Sequence, residues 1–175
     1  WNLKRTTPLS QTASRFIIRP ETDLAQHALY HHTLALSPDG RRLAYVEAGS
    51  DGRRKIYLRE LDKFKAKPLP GTEGAVSPFF SPDGQWVGYF DHYQRKLKKV
   101  SVKGGKPMIL CDSMQFRGGS WGTDDTIIFT PGRGSDEEGG LWRISASGEG
   151  LEQLTVFDPN RGERGHLWPQ ILPGG

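Results

Sequence analysis

One serine of this chain lies in a pattern that nucleophilic hydrolases use. Gly118-Gly119-Ser120-Trp121-Gly122 matches G-x-S-x-G, in which a sharp turn from a strand into a helix exposes the serine hydroxyl beside an oxyanion hole. A further turn and a second apolar run, Ile127 to Phe129, follow this serine, so no helix is predicted after it. Glycines at this spacing also permit close backbone packing. We therefore predict that Ser120 is structural and that the segment has no catalytic residue.

The histidines and one arginine are the remaining candidates for ligand chemistry. Aligning the repeats described below places His31 and His166 at equivalent positions. Arg117 lies one position later in its own repeat. The repeat architecture described below places these positions on the innermost strands, which line a central channel. Two interpretations stay open, a metal or ligand site at the channel mouth and solvated histidines. We take His31, Arg117 and His166 as the ligand candidates, Arg117 for an anion, and predict no metal and no cofactor.

Two further groups of residues are weaker candidates. Asp136-Glu137-Glu138 has the charge to hold a cation, but its loop lacks the alternating acidic spacing of a calcium loop. Cys111 is the only cysteine, so the chain has neither an internal disulfide nor cysteine-rich metal spacing. We expect a solvated loop and a small buried hydrophobe, respectively.

These residues are positioned by a repeat. Leu36-Ser37-Pro38-Asp39-Gly40 and Phe80-Ser81-Pro82-Asp83-Gly84 are each followed by a strand-like run, and their aspartates are 44 positions apart. A degenerate third copy, with Gly122-Thr123 in place of Ser-Pro, follows 41 positions later at Asp124. Proline at the second position and glycine at the fourth favour a tight turn between strands. A period of 40–45 residues built from short strands is typical of β-propeller blades.

The repeat predicts an all-β fold, a partial β-propeller of four-stranded antiparallel blades. Three complete blades and the start of a fourth are predicted at residues 29–70, 74–112, 115–156 and 165–175. Residues 1–14 are predicted to be a polar tether and residues 15–19 a strand. Trp121 and Trp168 are assigned to packing between blades. Propellers close with four to eight blades, so this segment leaves two apolar blade faces uncovered. We expect that more chain follows and covers them. The alternatives are that two copies associate or that the segment is poorly stable on its own.

Composition narrows the class of protein further. The chain has 175 residues and a formal net charge of +4, and its densest basic run, Arg95 to Val100, lies in a predicted strand that divides the charges between two faces. Nucleic-acid-binding proteins concentrate basic residues on one face, so no nucleic-acid partner is predicted. No apolar run is long enough for a membrane helix.

Several phrases resemble a known family. The repeats are similar to TolB-like, WD-repeat-like propellers, and a narrower resemblance, to the C-terminal propeller of bacterial transmembrane serine/threonine kinases, rests on 69–75, 78–88, 97–101, 120–122, 124–129 and 166–170. That resemblance implies an upstream kinase domain and membrane helix, a juxtamembrane position for Trp1 to Arg5, and residues 15–19 as the closing strand of the last blade. The chain itself contains neither a Gly-rich phosphate loop nor His-Arg-Asp or Asp-Phe-Gly.

The expected function is therefore non-catalytic binding of a protein or small molecule, in an extracytoplasmic sensor or scaffold domain of a receptor-like kinase. Membrane attachment is expected only through an upstream helix. The alternatives are a propeller that gates a prolyl-oligopeptidase-type serine peptidase and a free periplasmic TolB-like adaptor. Catalysis by the blades themselves is a third alternative, for which Ser120, His31 and His166 are the residues to substitute.

Overall fold

The computed structural model describes residues 32–49, 52–113, 115–131 and 139–172. The predicted tether 1–14, the strand at 15–19, His31 and the acidic run 136–138 lie outside the described residues. In the described part the only helical element is a short 3-10 turn at Pro159–Arg161. None of the described segments forms a helix of the length and hydropathy needed to cross a bilayer.

Twelve strands form three sheets of four strands each. The first sheet contains β1 (Leu34–Leu36), β2 (Arg42–Ala48), β3 (Arg54–Glu60) and β4 (Lys67–Pro68). The second contains β5 (Ala75–Phe80), β6 (Trp86–Asp91), β7 (Lys96–Ser101) and β8 (Met108–Asp112). The third contains β9 (Gly119–Trp121), β10 (Thr126–Phe129), β11 (Trp142–Ser145) and β12 (Glu152–Gln153).

Within each sheet the strands pair antiparallel in chain order. The predicted all-β class, with four-stranded antiparallel units, is confirmed. The three sheets fall inside the ranges 29–70, 74–112 and 115–156 that the repeat predicts for blades.

The Ser-Pro-Asp-Gly motif forms the same turn in both copies. Ser37 Oγ donates to Asp39 Oδ1 at 2.5 Å, and the backbone N–H of Arg42 donates to Ser37 Oγ at 2.9 Å. The second copy repeats both bonds at the same distances, with Ser81, Asp83 and Trp86. Gly40 and Gly84 have φ of 67° and 65°, a left-handed conformation that glycine adopts without strain.

The third turn keeps this geometry without serine or proline. Asp124 Oδ1 accepts the backbone N–H of Thr126 at 3.1 Å, as Asp39 accepts that of Arg41 at 3.0 Å. Asp125 takes the left-handed position of the missing glycine, with φ of 62°. Aspartate tolerates this conformation better than most residues. The turn therefore depends on its first aspartate and on the left-handed residue that follows.

Two apolar clusters join the sheets. The first lies between the first and second sheets and contains Ala44, Val46, Ile56, Leu69, Ala75, Phe80, Val87, Tyr89 and Val100. The second lies between the second and third sheets and contains Val76, Phe79, Phe90, Leu97, Leu110, Phe116, Trp121, Ile127, Phe129, Ile144 and Ala146. Alternate residues of β6 and β7 serve opposite clusters, because successive side chains of a strand point to opposite faces. The second sheet is thus covered on both faces.

The innermost strands contact one another in sequence. Strand β5 packs against β1, β2 and β3, and β9 packs against β5. Phe116 stacks with Phe79, Phe90 and Phe129, at ring-centroid distances of 6.2, 5.8 and 6.2 Å. Trp121 is buried in the same cluster, as predicted for packing between blades. This arrangement, with inner strands adjacent and whole sheets stacked face to face, is the geometry of successive propeller blades.

The segment 165–171, predicted to be the inner strand of a fourth blade, forms no strand. A strand requires a hydrogen-bonded neighbour, and the described residues after 171 supply none. Its position nevertheless follows the repeat. The N–H of Trp168 donates to the carbonyl of Arg117 at 2.8 Å, just as the N–H of Ser77 donates to the carbonyl of His32 at 3.1 Å. These two pairs occupy equivalent positions in the aligned repeats, so the segment lies beside the third sheet as β5 lies beside the first.

Candidate functional site

The inner strands begin at one end of the molecule, which we call the loop end. Here the backbone turns left-handed at equivalent positions of three repeats, with φ of 51° at Ser77, 94° at Gly118 and 50° at Trp168. In β5 this turn coincides with a shift of register between Val76 and Phe79. A left-handed serine or tryptophan is uncommon, and such strain concentrates at functional sites. These outliers make the loop end the candidate binding surface.

His32 and Trp168 meet at this end from opposite ends of the described chain. Their rings are stacked, with centroids 6.2 Å apart and planes at 9°. Trp168 remains 46% exposed. A side chain at Gly118 would collide with Trp168, because an added Cβ would lie 2.8 Å from Cδ1 of the indole. The glycine thus creates the space that the indole fills, and the stack presents a large aromatic surface to solvent.

Arg117 is bonded through its backbone to Trp168 of this stack. Its N–H donates to the carbonyl of Thr130 at 3.1 Å, and its carbonyl accepts the N–H of Trp168. The side chain is half-buried. An exposed aromatic pair suits a planar group of a ligand, and an arginine side chain suits an anionic one.

His166 is held by residues of the third sheet and of the segment that follows it. Its Nδ1 lies 2.6 Å from Thr155 Oγ1, and its Nε2 lies 3.6 Å from Glu163 Oε2. Its carbonyl accepts the hydroxyl of Thr130 at 2.9 Å. Thr155 Oγ1 also accepts the N–H of Leu141 at 2.8 Å. These bonds hold the segment 163–168 against the third sheet, so His166 supports the position of Trp168.

A buried ion pair orders a second part of the loop end. Lys98 Nζ lies 2.8 Å from Asp91 Oδ2, and the two side chains are 8% and 2% exposed. The other carboxylate oxygen of Asp91 accepts the N–H groups of Tyr93 and Gln94 at 3.0 and 2.9 Å. Tyr93 lies against Gly74, where an added Cβ would approach its ring to 2.5 Å. The pair therefore fixes an exposed tyrosine next to the start of β5.

The structure brings the backbones of two of the three predicted ligand candidates, Arg117 and His166, close together, since both are bonded to Thr130. His31 lies outside the described residues. Sequence reasoning missed His32 as a site residue and assigned Trp168 only to packing. The signal was present in the aligned repeats, where His32 and Arg117 share one position and Trp168 occupies the position of Ser77 and Gly118.

Ser120 does not have the setting of a nucleophile. It lies within β9, it is followed by a turn and β10, and its Oγ accepts the N–H of Ile171 at 3.0 Å. Burial raises the pKa of the Cys111 thiol to about 11, which keeps it protonated at neutral pH. Within the described ranges no three His, Cys, Asp or Glu side chains come together as metal ligands do.

Comparison with known proteins places this geometry in a fold. No protein-family model matches the chain. A stretch of 52 residues is 44% identical to the Tol-Pal system protein TolB of Alcanivorax borkumensis, covering 28% of this chain and 12% of that protein. The chain therefore spans a small part of this relative.

Solved structures extend the likeness over more of the chain. TolB from Acinetobacter baumannii matches with a TM-score of 0.60 and 21% identity, over 71% of this chain and 32% of that one. A protein assigned as TolB in Agrobacterium tumefaciens gives 0.58 and 22%, over 67% and 46%. The β-propeller domain of the trilobed protease from Pyrococcus furiosus gives 0.54 and 15%, over 71% and 41%. The fold is a TolB-like β-propeller, and the chain spans less than half of each of these proteins.

Proposed function

We propose that this segment is a non-catalytic binding domain that holds a protein or small-molecule ligand at its loop end. The observation that carries the proposal is the stack of His32 on an exposed Trp168 whose backbone is left-handed. A large aromatic side chain in a conformation that costs about 1–3 kcal/mol is hard to explain by stability, since nearly half of its surface gains nothing from burial. Exposed, rigid aromatic side chains are typical anchors of binding surfaces.

The neighbouring groups define the chemistry of the ligand. Arg117, whose backbone is bonded to Trp168, is the candidate cation of this site, and Tyr93 provides a second exposed ring held by the Asp91–Lys98 pair. The ligand should therefore present an aromatic or otherwise planar group together with a carboxylate or phosphate. A peptide segment with an acidic and an aromatic residue meets this description.

Site-specific photo-crosslinking in the host cell tests this proposal. p-Benzoylphenylalanine is placed at position 168 in one variant and at position 109 in a control, because Ile109 is also exposed but lies on the outer strand β8. We expect one adduct of defined mass from position 168, weakened when Arg117 is replaced by Gln, and none from position 109. Equal adducts from both positions, or none from position 168, would refute binding at the loop end.

We further propose that the segment is extracytoplasmic and belongs to a receptor-like serine/threonine kinase, where ligand binding alters assembly. The support for an extracytoplasmic place is the likeness to TolB proteins. The support for the kinase is the resemblance of short sequence segments to the C-terminal propeller of bacterial transmembrane serine/threonine kinases. A free TolB-like adaptor is favoured by the same likeness, and a peptidase propeller by the match to the trilobed protease.

The coding sequence on both sides of this segment separates these three proteins. A kinase domain and a membrane-spanning helix upstream support the sensor. A signal peptide shortly before the repeats supports the adaptor, and an α/β-hydrolase domain downstream supports the peptidase. Either of the last two findings would refute the kinase assignment and leave binding at the loop end to be judged by crosslinking.

A further inference from the structure

A phenylalanine projects from the end of the molecule opposite the proposed site. Phe64 lies in the β3–β4 loop and is 96% exposed, the highest value among the exposed large hydrophobic residues described. Covering this ring would remove its apolar surface from water, which is favourable. We call residues 61–67 the Phe64 finger.

The finger is held by hydrogen bonds on both sides of the ring. The N–H of Leu61 donates to the carbonyl of Arg41 in the first Ser-Pro-Asp-Gly turn at 2.8 Å. Arg59 Nε donates to the carbonyl of Lys63 at 3.0 Å, and Lys63 pairs with Glu60. Lys67 and Pro68 then pair with β3 as strand β4. Phe64 is therefore presented by a fixed loop next to the turn of the first sheet.

Basic residues flank Phe64 in the chain and lie at the same end of the molecule. Lys63, Lys65 and Lys67 are exposed within the finger, and Arg41 is exposed in the adjoining turn. The β7–β8 loop of the second sheet adds exposed Lys103 and Lys106 at the same end, because Val102 is bonded to Gln85 beside the β5–β6 turn.

Acidic residues of this end are fewer than the basic ones. The charges of Glu60 and Lys63 offset each other, since the two are paired. The exposed acids that remain are Asp39, Asp62 and Asp83, against the exposed bases Arg41, Lys65, Lys67, Lys103 and Lys106. The exposed acids Asp124, Asp125 and Glu149 belong to the corresponding end of the third sheet. One corner of the molecule, below the first and second sheets, is thus basic and carries the projecting ring.

We propose that the Phe64 finger contacts an anionic membrane surface. A single ring on a narrow loop can enter the interfacial layer of a bilayer, while the lysines beside it stay among the headgroups. A protein partner recognises a ring as part of a wider apolar surface. Lysines next to the bilayer are attracted by anionic lipids. The finger lies at the end opposite the loop end, so membrane contact leaves the proposed ligand site exposed.

Co-sedimentation of the full chain with vesicles tests this proposal. Vesicles of phosphatidylcholine with phosphatidylserine are compared with vesicles of phosphatidylcholine alone, at low and at physiological salt. The test variants are Phe64→Ser and the double variant Lys65→Gln/Lys67→Gln. The matched controls are Val156→Ser, which removes another exposed apolar side chain, and Arg161→Gln/Arg164→Gln, which removes two exposed charges elsewhere.

We expect binding to the anionic vesicles only, weakened by salt. Each test variant should weaken binding by about tenfold, whereas each control should bind as the unmodified chain does. No binding to anionic vesicles, or equal loss in test and control variants, would overturn the proposal. Capture of an acidic protein by the finger without vesicle binding would overturn it as well. A thermal unfolding curve for each variant establishes that it is folded.

Discussion

The imidazole of His32 stacks on the indole of Trp168, with the ring centroids 6.2 Å apart. His32 precedes the first inner strand, and Trp168 belongs to the segment that follows the third sheet. The contact therefore joins the two ends of the described arc on its inner side. It also brings an exposed aromatic surface beside Arg117, whose carbonyl accepts the N–H of Trp168.

The left-handed backbone of Trp168 predicts an unusual order of stability among its variants. Alanine at this position keeps the strained φ of 50° and loses the stack, whereas glycine loses the stack but relieves the strain. Trp168→Gly should therefore be more stable than Trp168→Ala by about 1 kcal/mol. Urea unfolding of both variants measures the difference. At nearby Gln170, which has no positive φ, alanine should be at least as stable as glycine, and the same order at both positions would remove the argument for strain.

Gly88 lies against the ring of Phe79, a member of the second cluster. A Cβ at position 88 would lie 2.3 Å from Cζ of the phenyl ring, so Gly88→Ala forces the core apart. We expect a loss of about 1–3 kcal/mol in the free energy of unfolding. Phe79→Leu makes room, so the double variant should lose less than the two single variants together. Gly139→Ala is the control, because its Cβ would meet Pro131 at an ordinary 3.9 Å. Simple additivity of Gly88→Ala and Phe79→Leu would show that the two sites do not touch.

One hydrogen bond joins the first and second turns. Arg42 Nη1 donates to the carbonyl of Gly84 at 2.9 Å, which connects the two Ser-Pro-Asp-Gly copies across the sheets. Arg42→Met keeps most of the stem and removes the donor, so it should lower the free energy of unfolding by about 1 kcal/mol. Arg41→Met removes an exposed charge one residue earlier and should change stability little. Equal effects of the two substitutions on the thermal midpoint would mean that the loss of stability comes from the lost charge and not from the hydrogen bond to Gly84.

The turn aspartates predict a dependence of stability on acid pH. The hydroxyl of Ser37 holds the pKa of Asp39 below its ordinary value of 3.8, and the hydroxyl of Ser81 does the same for Asp83, each with help from a backbone N–H. A carboxylate with a lowered pKa stabilises the folded state above the unfolded pKa. This stabilisation is lost as the pH falls through the lowered value. The free energy of unfolding should therefore fall below about pH 4.

A serine substitution tests the cause of that shift. Ser81→Ala removes the first bond to Asp83, so the pKa of Asp83 should rise toward 3.8 while that of Asp39 stays low. Carboxyl-carbon NMR titration follows both groups in one sample. An unchanged pKa at Asp83 would assign the shift to the backbone N–H of Gln85 instead.

The fold was predictable because its signals are local and repeated. Turn residues at Ser37 to Gly40 and Ser81 to Gly84, each followed by a strand-like run, predicted the four-stranded antiparallel units that the structure forms. The third turn kept its position although Gly122-Thr123 replaces Ser-Pro, because Asp124 and Asp125 supply the essential bond and φ.

The site was harder to predict because it depends on contacts between distant residues. His32 and Trp168 are far apart in the chain, and neither lies in a sequence motif that predicts contact between their rings. Inner strand β9 begins only at Gly119, since Gly118 turns left-handed before it. Segment 165–171 reads as a strand by composition, yet its pairing requires a neighbour that the described residues do not include.

Hydrogen exchange measured by NMR on the intact chain tests the architecture on which these proposals rest. If the second sheet is sandwiched between the other two, the amides of Val87, Tyr89 and Phe90 in β6 should exchange most slowly and define the global free energy of unfolding. The amides of β2 and β10, in sheets that border this one on a single side, should open at lower free energy. Faster exchange in β6 than in both of those strands would contradict a central second blade, and with it the arc that places His32 beside Trp168.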